Sequence, residues 1–342
     1  MYAIKAYLCR YINMERNRSL DGLKFILIAL VVIGHFIEPS RYSDQVSCYL
    51  YSLIYSFHMP LFIFLNGYFY KHRPIKEEIS KCVPLFEVCL ISHVIFAYLS
   101  NVELSIRGVV NFAYTPSWYL LSLIFWRMLS SIFLKRWSAK DLLFTSVLIE
   151  VITFIAIPRY GGIFSLMRTF QFLPFFAWGY LAKGKLNELY THKKQISILG
   201  VLSFAYILFS SCRLQHQCFY QRASLLELSQ YTEHSLLWLF VFRYSIIICS
   251  LFICVFLLLV TFNNNYIIKM AKYGMGTLYI YFGQTLLYPI VLRCCSTLPI
   301  SIAVSIPVII VLTHLSMKPI SKWMMNPICT LVSKHKDKKS AV

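Results

Sequence analysis

The fold of this chain is decided by residues 21–35, which read DGLKFILIALVVIGH. Ten apolar or small residues separate Lys24 from His35. On a helix, a step of eleven residues makes about three turns and rises roughly 16 Å, so both side chains share one face at different depths. Ionisable groups inside a membrane span are costly and usually mark functional sites. The stretch therefore predicts a membrane helix that carries function.

The rest of the chain has the same apolar character. Its 342 residues are 58% hydrophobic and 14% charged, with a mean hydropathy of +0.63. A soluble domain would carry about a quarter charged residues. The apolar residues form ten runs of bilayer length, which predict an all-α, polytopic transmembrane bundle. The predicted spans are 20–37, 48–69, 83–100, 116–134, 141–157, 163–182, 195–212, 235–262, 273–292 and 299–316.

The net charge of +19 follows the loops and not one surface. Of the 33 Lys and Arg residues, 23 lie at the termini and in every second loop, and six lie in the other five loops. This alternation fits the positive-inside rule, so both termini are predicted to be cytoplasmic. The protein is accordingly predicted to be a multi-pass protein of the cytoplasmic membrane. Basic residues spread over alternate loops argue against a nucleic-acid partner.

The chain is predicted to contain one membrane domain and two short cytoplasmic segments. Residues 1–19 form the N-terminal segment, residues 20–316 the transmembrane domain and residues 317–342 a basic tail. Met14 is an alternative start, which would leave residues 1–13 untranslated. No loop is long enough for a soluble domain, so any chemistry is expected in the membrane or at its surfaces.

Three polar side chains of the first span are candidate functional groups. Histidine titrates near neutral pH, so His35 is either a general base or an interfacial residue bonded to water or a neighbouring helix. Lys24 either extends to the lipid headgroups or anchors a phosphate. Asp21 either caps the helix or takes part in function. Because a purely structural helix rarely needs all three, we favour a functional role for His35.

Two further candidates lie in later spans. His58 precedes Pro60, whose ring predicts a kink or break in the second span, and it either reaches a cavity or makes a structural hydrogen bond. Arg168, near the outer third of the sixth span, either extends to the interface or holds an anion or developing oxyanion. The eleven cysteines show no Cys-x-x-Cys spacing, and no metal site is predicted.

The order of these residues resembles the integral-membrane acyltransferase 3 family. Arg18-Ser-Leu-Asp-Gly-Leu-Lys24 followed by His35 is similar to a family signature in which ten residues separate a basic residue from a histidine. Residues 58–68, 118–121 and 168–180 resemble later family blocks, in the same order. The second and last of these four blocks are most similar to the branch of sugar O-acetylases that includes fucose 4-O-acetylase.

This resemblance covers residues 17–315 and implies an acyltransferase activity. It implies transfer of an acyl group, usually acetyl, from cytoplasmic acyl-CoA to a hydroxyl of a cell-surface polysaccharide or lipid-linked sugar. Acyl-CoA would then be a donor substrate, and no bound cofactor is expected. The resemblance also implies that His35 is catalytic, that Lys24 is its basic partner and that Arg168 precedes a Pro-Phe-Phe block.

The predicted site therefore has a catalytic part and a donor-binding part. The catalytic candidates are His35, Asp21, His58 and Arg168. The candidates for binding the CoA phosphates at the basic cytoplasmic face are Lys24, Arg73 and Lys81. In this hypothesis His35 takes the proton of the sugar hydroxyl, and Arg168 or His58 stabilises the oxyanion.

Two departures from the family pattern keep other functions open. Lys81-Cys-Val-Pro84 stands where the family usually has an arginine-rich stretch that ends in Leu-Ile-Pro. Gln284 stands where a late histidine is common. The alternatives are a polytopic transporter or flippase for glycans or lipids, since buried charges also suit a carrier, and a degenerate, non-catalytic family member.

Overall fold

The computed structural model describes residues 18–100, 115–156, 164–211, 223–262, 264–319 and 321, and these contain helices and no β-strand. The predicted all-α class is thus confirmed. The α-helices are α1 (Arg18–Ile37), α2 (Gln45–Phe69), α3 (Ile75–Leu99), α4 (Trp118–Phe133), α5 (Ala139–Ala156), α6 (Leu166–Leu181), α7 (Lys193–Ser211), α8 (Leu225–Ser229), α9 (Leu236–Thr261), α10 (Asn265–Met270), α11 (Thr277–Cys294) and α12 (Leu298–Ser316). Short 3-10 segments cover Pro39–Tyr42, Leu186–His192 and Gly274–Gly276.

Each of the ten predicted spans coincides with one long helix. In the described part of the chain, seven helices are long and apolar enough to cross a bilayer, which makes this an integral membrane protein. They are α1, α2, α3, α9, α12, and α7 and α11 with the 3-10 segments that precede them. A crossing by all ten and the cytoplasmic side of both termini stay predictions. The predicted N-terminal segment 1–19 and basic tail 317–342 lie mostly outside the described residues.

The largest boundary error is at α3, which begins at Ile75 and not at the predicted position 83. Its first turns are polar, and Pro74 precedes them at the helix N-terminus, where a missing N–H costs nothing. Glu77 and Glu78 in the first turn complement the helix dipole. The apolar run predicted too short a helix because the first turns of α3 are polar and precede that run.

The centre of the bundle is the crossing of α2 and α6. A Cβ atom on Gly67 would overlap the carbonyl oxygen of Phe176, and one on Gly179 would overlap the carbonyl oxygen of Phe64. Each helix therefore presents a glycine to the backbone of the other, which is how small residues let membrane helices approach closely. The crossing fixes two of the helices that bear predicted site residues.

Of the kink or break predicted at Pro60, the break is absent, because α2 runs continuously from Gln45 to Phe69. Proline removes the hydrogen bond to the carbonyl four residues earlier, which is that of Ser56. Here Ser250 Oγ of α9 donates a hydrogen bond to that carbonyl at 2.5 Å. A neighbouring helix thus satisfies the backbone group that proline frees, as membrane helices often require.

Helix α1 lies inside the helical array. It packs against α2, α11 and α12, and against α10. Leu20, Val32 and Phe36 are fully buried, so apolar contacts hold the helix along its length. The 3-10 segment Pro39–Tyr42 follows directly after it. This packing fixes His35 relative to α2 and α11.

Candidate active site

A cavity of about 190 Å³ lies at the end of α1 that bears His35. We call this region the His35 end, and the opposite end of α1 the Lys24 end. Three of the four predicted catalytic residues, His35, His58 and Arg168, line the cavity together. They come from α1, α2 and α6. Its walls are rich in aromatic rings, those of Tyr51, Tyr55, Trp118, Tyr119, Phe172, Tyr281 and Tyr288.

Glu38 is the carboxylate beside the imidazole of His35. Its Oε2 lies 3.4 Å from Nδ1 of His35, and Tyr288 donates a hydrogen bond to the same oxygen at 2.5 Å. The guanidinium of Arg41 lies 2.6 Å from the other oxygen, Oε1. A carboxylate at Nδ1 favours the tautomer with the proton on that nitrogen, which leaves Nε2 to accept a proton. This is the arrangement of an oriented general base.

The same contacts keep Glu38 ionised. Burial opposes ionisation, but the hydrogen bond from His35, the charge of Arg41 and the hydrogen bond from Tyr288 hold the pKa of Glu38 well below its usual range. Glu38 lies between α1 and the 3-10 segment that follows, and 20% of its side chain is exposed. A fixed negative charge at this point stabilises the imidazolium that forms when His35 accepts a proton.

Tyr55 lies between the two histidines of the cavity. Its Oη is 3.4 Å from Nδ1 of His35, and its ring packs edge-on against His58 with centroids 4.7 Å apart. Nδ1 of His58 is 2.6 Å from the carbonyl oxygen of Ile54. Because a carbonyl only accepts, Nδ1 carries the proton, and Nε2 of the neutral ring is an acceptor. His58 thus makes a structural hydrogen bond and also lines the cavity.

Arg168 enters the cavity wall from the first turn of α6. Its guanidinium carbon lies 4.8 Å from the centre of the Trp118 ring, which stacks on Phe172 at 5.6 Å. Ser165, just before the helix, has a φ of 55°, a left-handed conformation that is unfavourable for a residue with a side chain. Backbone strain of this kind clusters at functional sites, and here it sets the direction in which α6 starts.

Asp21 and Lys24 lie at the other end of α1, away from the cavity. Their side chains pair at 3.3 Å, and Lys24 Nζ lies 3.5 Å from the centre of the Phe69 ring. Asp21 lies three residues after Arg18, in the first described turn of α1. The structure therefore separates the predicted catalytic Asp21 from the other three catalytic candidates.

Arg73 belongs to an ion-pair cluster near the Lys24 end. Glu78 is fully buried, and its carboxylate lies 2.6 Å from Nε of Arg127 and 3.5 Å from the guanidinium of Arg73. Lys81, one turn further along α3, is exposed. The ion pair of Arg127 and Glu78 could not be predicted from local sequence, because it joins two different helices, α4 and α3.

Lys183 extends from the end of α6 into the same region. It donates a hydrogen bond to the carbonyl of Tyr70, which follows α2. Partial burial and the nearby charge of Lys71 lower the pKa of Lys183 to about 8. Basic groups from three parts of the chain thus gather where α2 ends.

Gln284 does not line the cavity. It is buried in α11, and its Nε2 donates to the hydroxyl of Thr285 at 3.2 Å. The residues that α11 contributes to the cavity are Tyr281 and Tyr288. Tyr281 and Tyr288 carry no sequence signal that distinguishes them from the other aromatic residues. Glu38 was missed as well, although it follows His35 by three residues, a spacing that brings side chains together on a helix.

Comparison with known proteins places the chain among membrane acyltransferases. The family profile described as "Acyltransferase domain" matches residues 17–317. Nodulation protein NolL of Sinorhizobium fredii is 28% identical over 192 residues, which cover 51% of this chain and 50% of that protein. Nodulation protein NolL of Mesorhizobium japonicum is 35% identical over 72 residues, which cover 20% of this chain and 19% of that protein. The chain thus spans half the length or less of these relatives. No solved structure matches it.

Proposed function

The chain belongs to the acyltransferase family whose domain profile covers residues 17–317, and on this basis we propose that it is a membrane O-acyltransferase. The proposed reaction moves an acyl group, with acetyl as the expected one, from acyl-CoA to a hydroxyl of a surface polysaccharide or lipid-linked sugar. The proposed location is the cytoplasmic membrane. The observation that carries the proposal is the pairing of His35 with Glu38 in a cavity shared with Arg168.

His35 is the general base of this proposal. A sugar hydroxyl is a weak nucleophile at neutral pH and needs a base as it attacks. Nε2 of His35 takes the hydroxyl proton while the sugar oxygen bonds to the thioester carbonyl carbon. The carbon–sulfur bond then breaks, and the proton passes from the imidazolium to the departing CoA thiolate. Glu38, held by Arg41 and Tyr288, stabilises the imidazolium between these steps.

Arg168 is the better candidate for stabilising the oxyanion. The tetrahedral intermediate places a negative charge on the former carbonyl oxygen, which requires a donor or cation. Neutral His58 has already committed its Nδ1 proton to Ile54, so its Nε2 has no proton to donate. Arg168 keeps its charge at every relevant pH. Of the two candidates that the sequence left open, the geometry favours Arg168.

The walls of the cavity suit a sugar acceptor. Binding sites for small polar molecules combine apolar and aromatic surface with a few directed polar groups. Here the rings of Tyr55, Tyr288 and Trp118 line the cavity, and the hydroxyls of the two tyrosines lie beside His35 and Glu38. Such rings present an apolar body and a polar edge to the same ligand.

The donor is proposed to lie along α1. Its phosphates would bind at the Lys24 end, where Lys24, Arg73, Lys81 and Lys183 supply positive charge. Its thioester would reach His35 at the far end of the extended pantetheine arm. In the alternative mechanism, the acyl group is first transferred to the protein and then relayed to the acceptor. The two ends of α1 would again bind the donor phosphates and the acceptor.

The experiment measures transfer of label from radiolabelled acetyl-CoA to surface glycan, in membranes that contain wild type, His35→Ala or His314→Ala. His314 is an exposed histidine in the last turn of α12 and serves as the matched control. We expect label with wild type and the control, and none with His35→Ala at equal insertion. Normal transfer by His35→Ala would remove His35 from the mechanism. Saturable glycan transport without acyl-CoA would favour the carrier.

A further inference from the structure

A second cavity, of about 330 Å³, lies between α2, α6, α7 and α9. The 3-10 segment Leu186–His192 covers one side of it. Phe64, Trp178 and Leu258 contribute to its apolar wall, and Leu189 of the 3-10 segment faces them. This segment is fixed, because Tyr190 donates a hydrogen bond to the carbonyl of Phe262 at 2.8 Å. The cavity is therefore part of the folded bundle.

This cavity is separate from the one at the His35 end. Met59 of α2 lines the first cavity and Phe64 lines the second, and a step of five residues turns about 140° around a helix. On α6, Phe172 lines the first cavity and Leu181 lines the second, and a step of nine residues turns about 180° around the helix. The two cavities thus lie on different faces of both helices. An occupant of the second cavity does not meet His35.

The mouth of the second cavity lies in a loop of net positive charge. Lys185, Glu188 and His192 line it and are exposed. The connection between α6 and α7, residues 182–194, contains four lysines and one glutamate. This loop is one of the basic loops that the positive-inside rule places on the cytoplasmic side. The cavity thus combines an apolar interior with a polar mouth, lined by Lys185, Glu188 and His192, in a loop of net positive charge.

We propose that this cavity binds an anionic glycerophospholipid of the adjacent leaflet. One acyl chain fills the apolar interior, and the phosphate lies between Lys185 and His192. Basic pockets between membrane helices on the cytoplasmic side favour anionic headgroups, and apolar cavities favour chains. The position away from His35 separates this lipid from the proposed acceptor and from the reacting thioester. The lipid site is independent of the acyl-transfer reaction.

The test compares two lipids that share chains and differ in charge. The full-length protein is purified in a neutral detergent and incubated with dioleoyl phosphatidylglycerol or dioleoyl phosphatidylcholine, and retained lipid is measured by native mass spectrometry. We expect phosphatidylglycerol to be retained preferentially. Lys185→Glu should reduce its retention about fivefold or more, since one basic residue near an anionic lipid contributes about that factor.

Two further variants make the outcome decisive. Lys140→Glu reverses an exposed lysine at the start of α5, outside the cavity, and should leave retention unchanged. Leu189→Phe narrows the cavity and should reduce retention of both lipids. Glycerol phosphate, which lacks chains, should not displace the lipid. The proposal would be overturned if wild type retained the two lipids equally, or if Lys140→Glu lost as much phosphatidylglycerol as Lys185→Glu. Displacement of the lipid by glycerol phosphate would overturn it as well.

Discussion

The two ends of α1 hold their charged groups in different ways. At the His35 end, Glu38 contacts His35, Arg41 and Tyr288 beside a cavity. At the Lys24 end, Lys24 pairs with Asp21 and packs on the Phe69 ring, and neither residue lines the cavity of the His35 end. The ten residues between Lys24 and His35 therefore connect two separate sites on α1 and do not form a single site. In our proposal, one end performs proton transfer and the other binds phosphate.

Replacing Glu38 with Gln should have the largest effect on turnover. The amide keeps the shape but removes the charge that stabilises the His35 imidazolium, so we expect kcat to fall about 10²- to 10⁴-fold with little change in the KM for acyl-CoA. Steady-state kinetics in membranes would measure both constants. Because the pKa of Glu38 is depressed, wild type keeps this charge from neutral pH through the usual carboxyl range and loses it only at lower pH.

The exposed carboxylate of Glu188 provides the control for that variant. Glu188→Gln removes a similar charge far from His35 and should leave kcat unchanged. A Glu38→Gln enzyme with normal kcat would contradict the division of tasks between the two ends of α1.

Replacing Lys24 with Met should act on donor binding. Loss of one charge-assisted contact to a phosphate should raise the KM for acyl-CoA about tenfold, while kcat at saturation stays near wild type. Kinetics at several donor concentrations separate the two effects. A fall in kcat with unchanged KM would instead place Lys24 in the chemical step and merge the two ends.

Replacing Glu78 with Gln should have a smaller effect of the same kind. Glu78 positions Arg73 and Arg127 and does not itself meet the donor in our proposal. Freed from this partner, Arg73 should bind phosphate less well, with a rise of a few fold in the KM for acyl-CoA and an unchanged kcat. If Glu78→Asp restores the KM, the carboxylate acts by positioning. A fall in kcat with an unchanged KM would contradict this positioning role of Glu78.

Replacing Ser165 with Gly should have the smallest effect. Glycine adopts the left-handed conformation without strain, so the variant should be slightly more stable, by about 0.5–1 kcal/mol. Transfer should stay within about twofold of wild type, because Arg168 keeps its place at the start of α6. Thermal unfolding in detergent and the transfer assay would measure both. A clear loss of acyl transfer would show that Ser165 is needed to orient the side chain of Arg168.

The helices could be predicted because apolar run length is a local property of the sequence. The first turns of α3 could not be predicted in this way, because they are polar and lie outside the apolar run. The unbroken helix at Pro60 could not be predicted either, because it depends on Ser250 of a distant helix. At the site, His35 was predicted from its spacing to Lys24, and Glu38 was within reach of the same reasoning.

Contacts between distant helices set the rest of the site. Tyr288 lies 250 positions after Glu38, and Arg127 lies 49 positions after Glu78, so no spacing rule connects either pair. The separation of Asp21 from the cavity follows from helix rise alone, because fourteen residues of helix span about 21 Å. A motif that is continuous in sequence can thus be divided in space.

The hydrogen bond at Pro60 also bears on how the protein is made. The carbonyl of Ser56 accepts its hydrogen bond from Ser250, which is synthesised 194 positions later in the chain. At about 5–20 residues per second, the ribosome needs roughly 10–40 s to reach it. During that interval α2 carries an exposed backbone acceptor that lipid cannot satisfy. The second span is therefore expected to stay beside the insertion machinery until α9 has entered, so that the bundle closes late in synthesis.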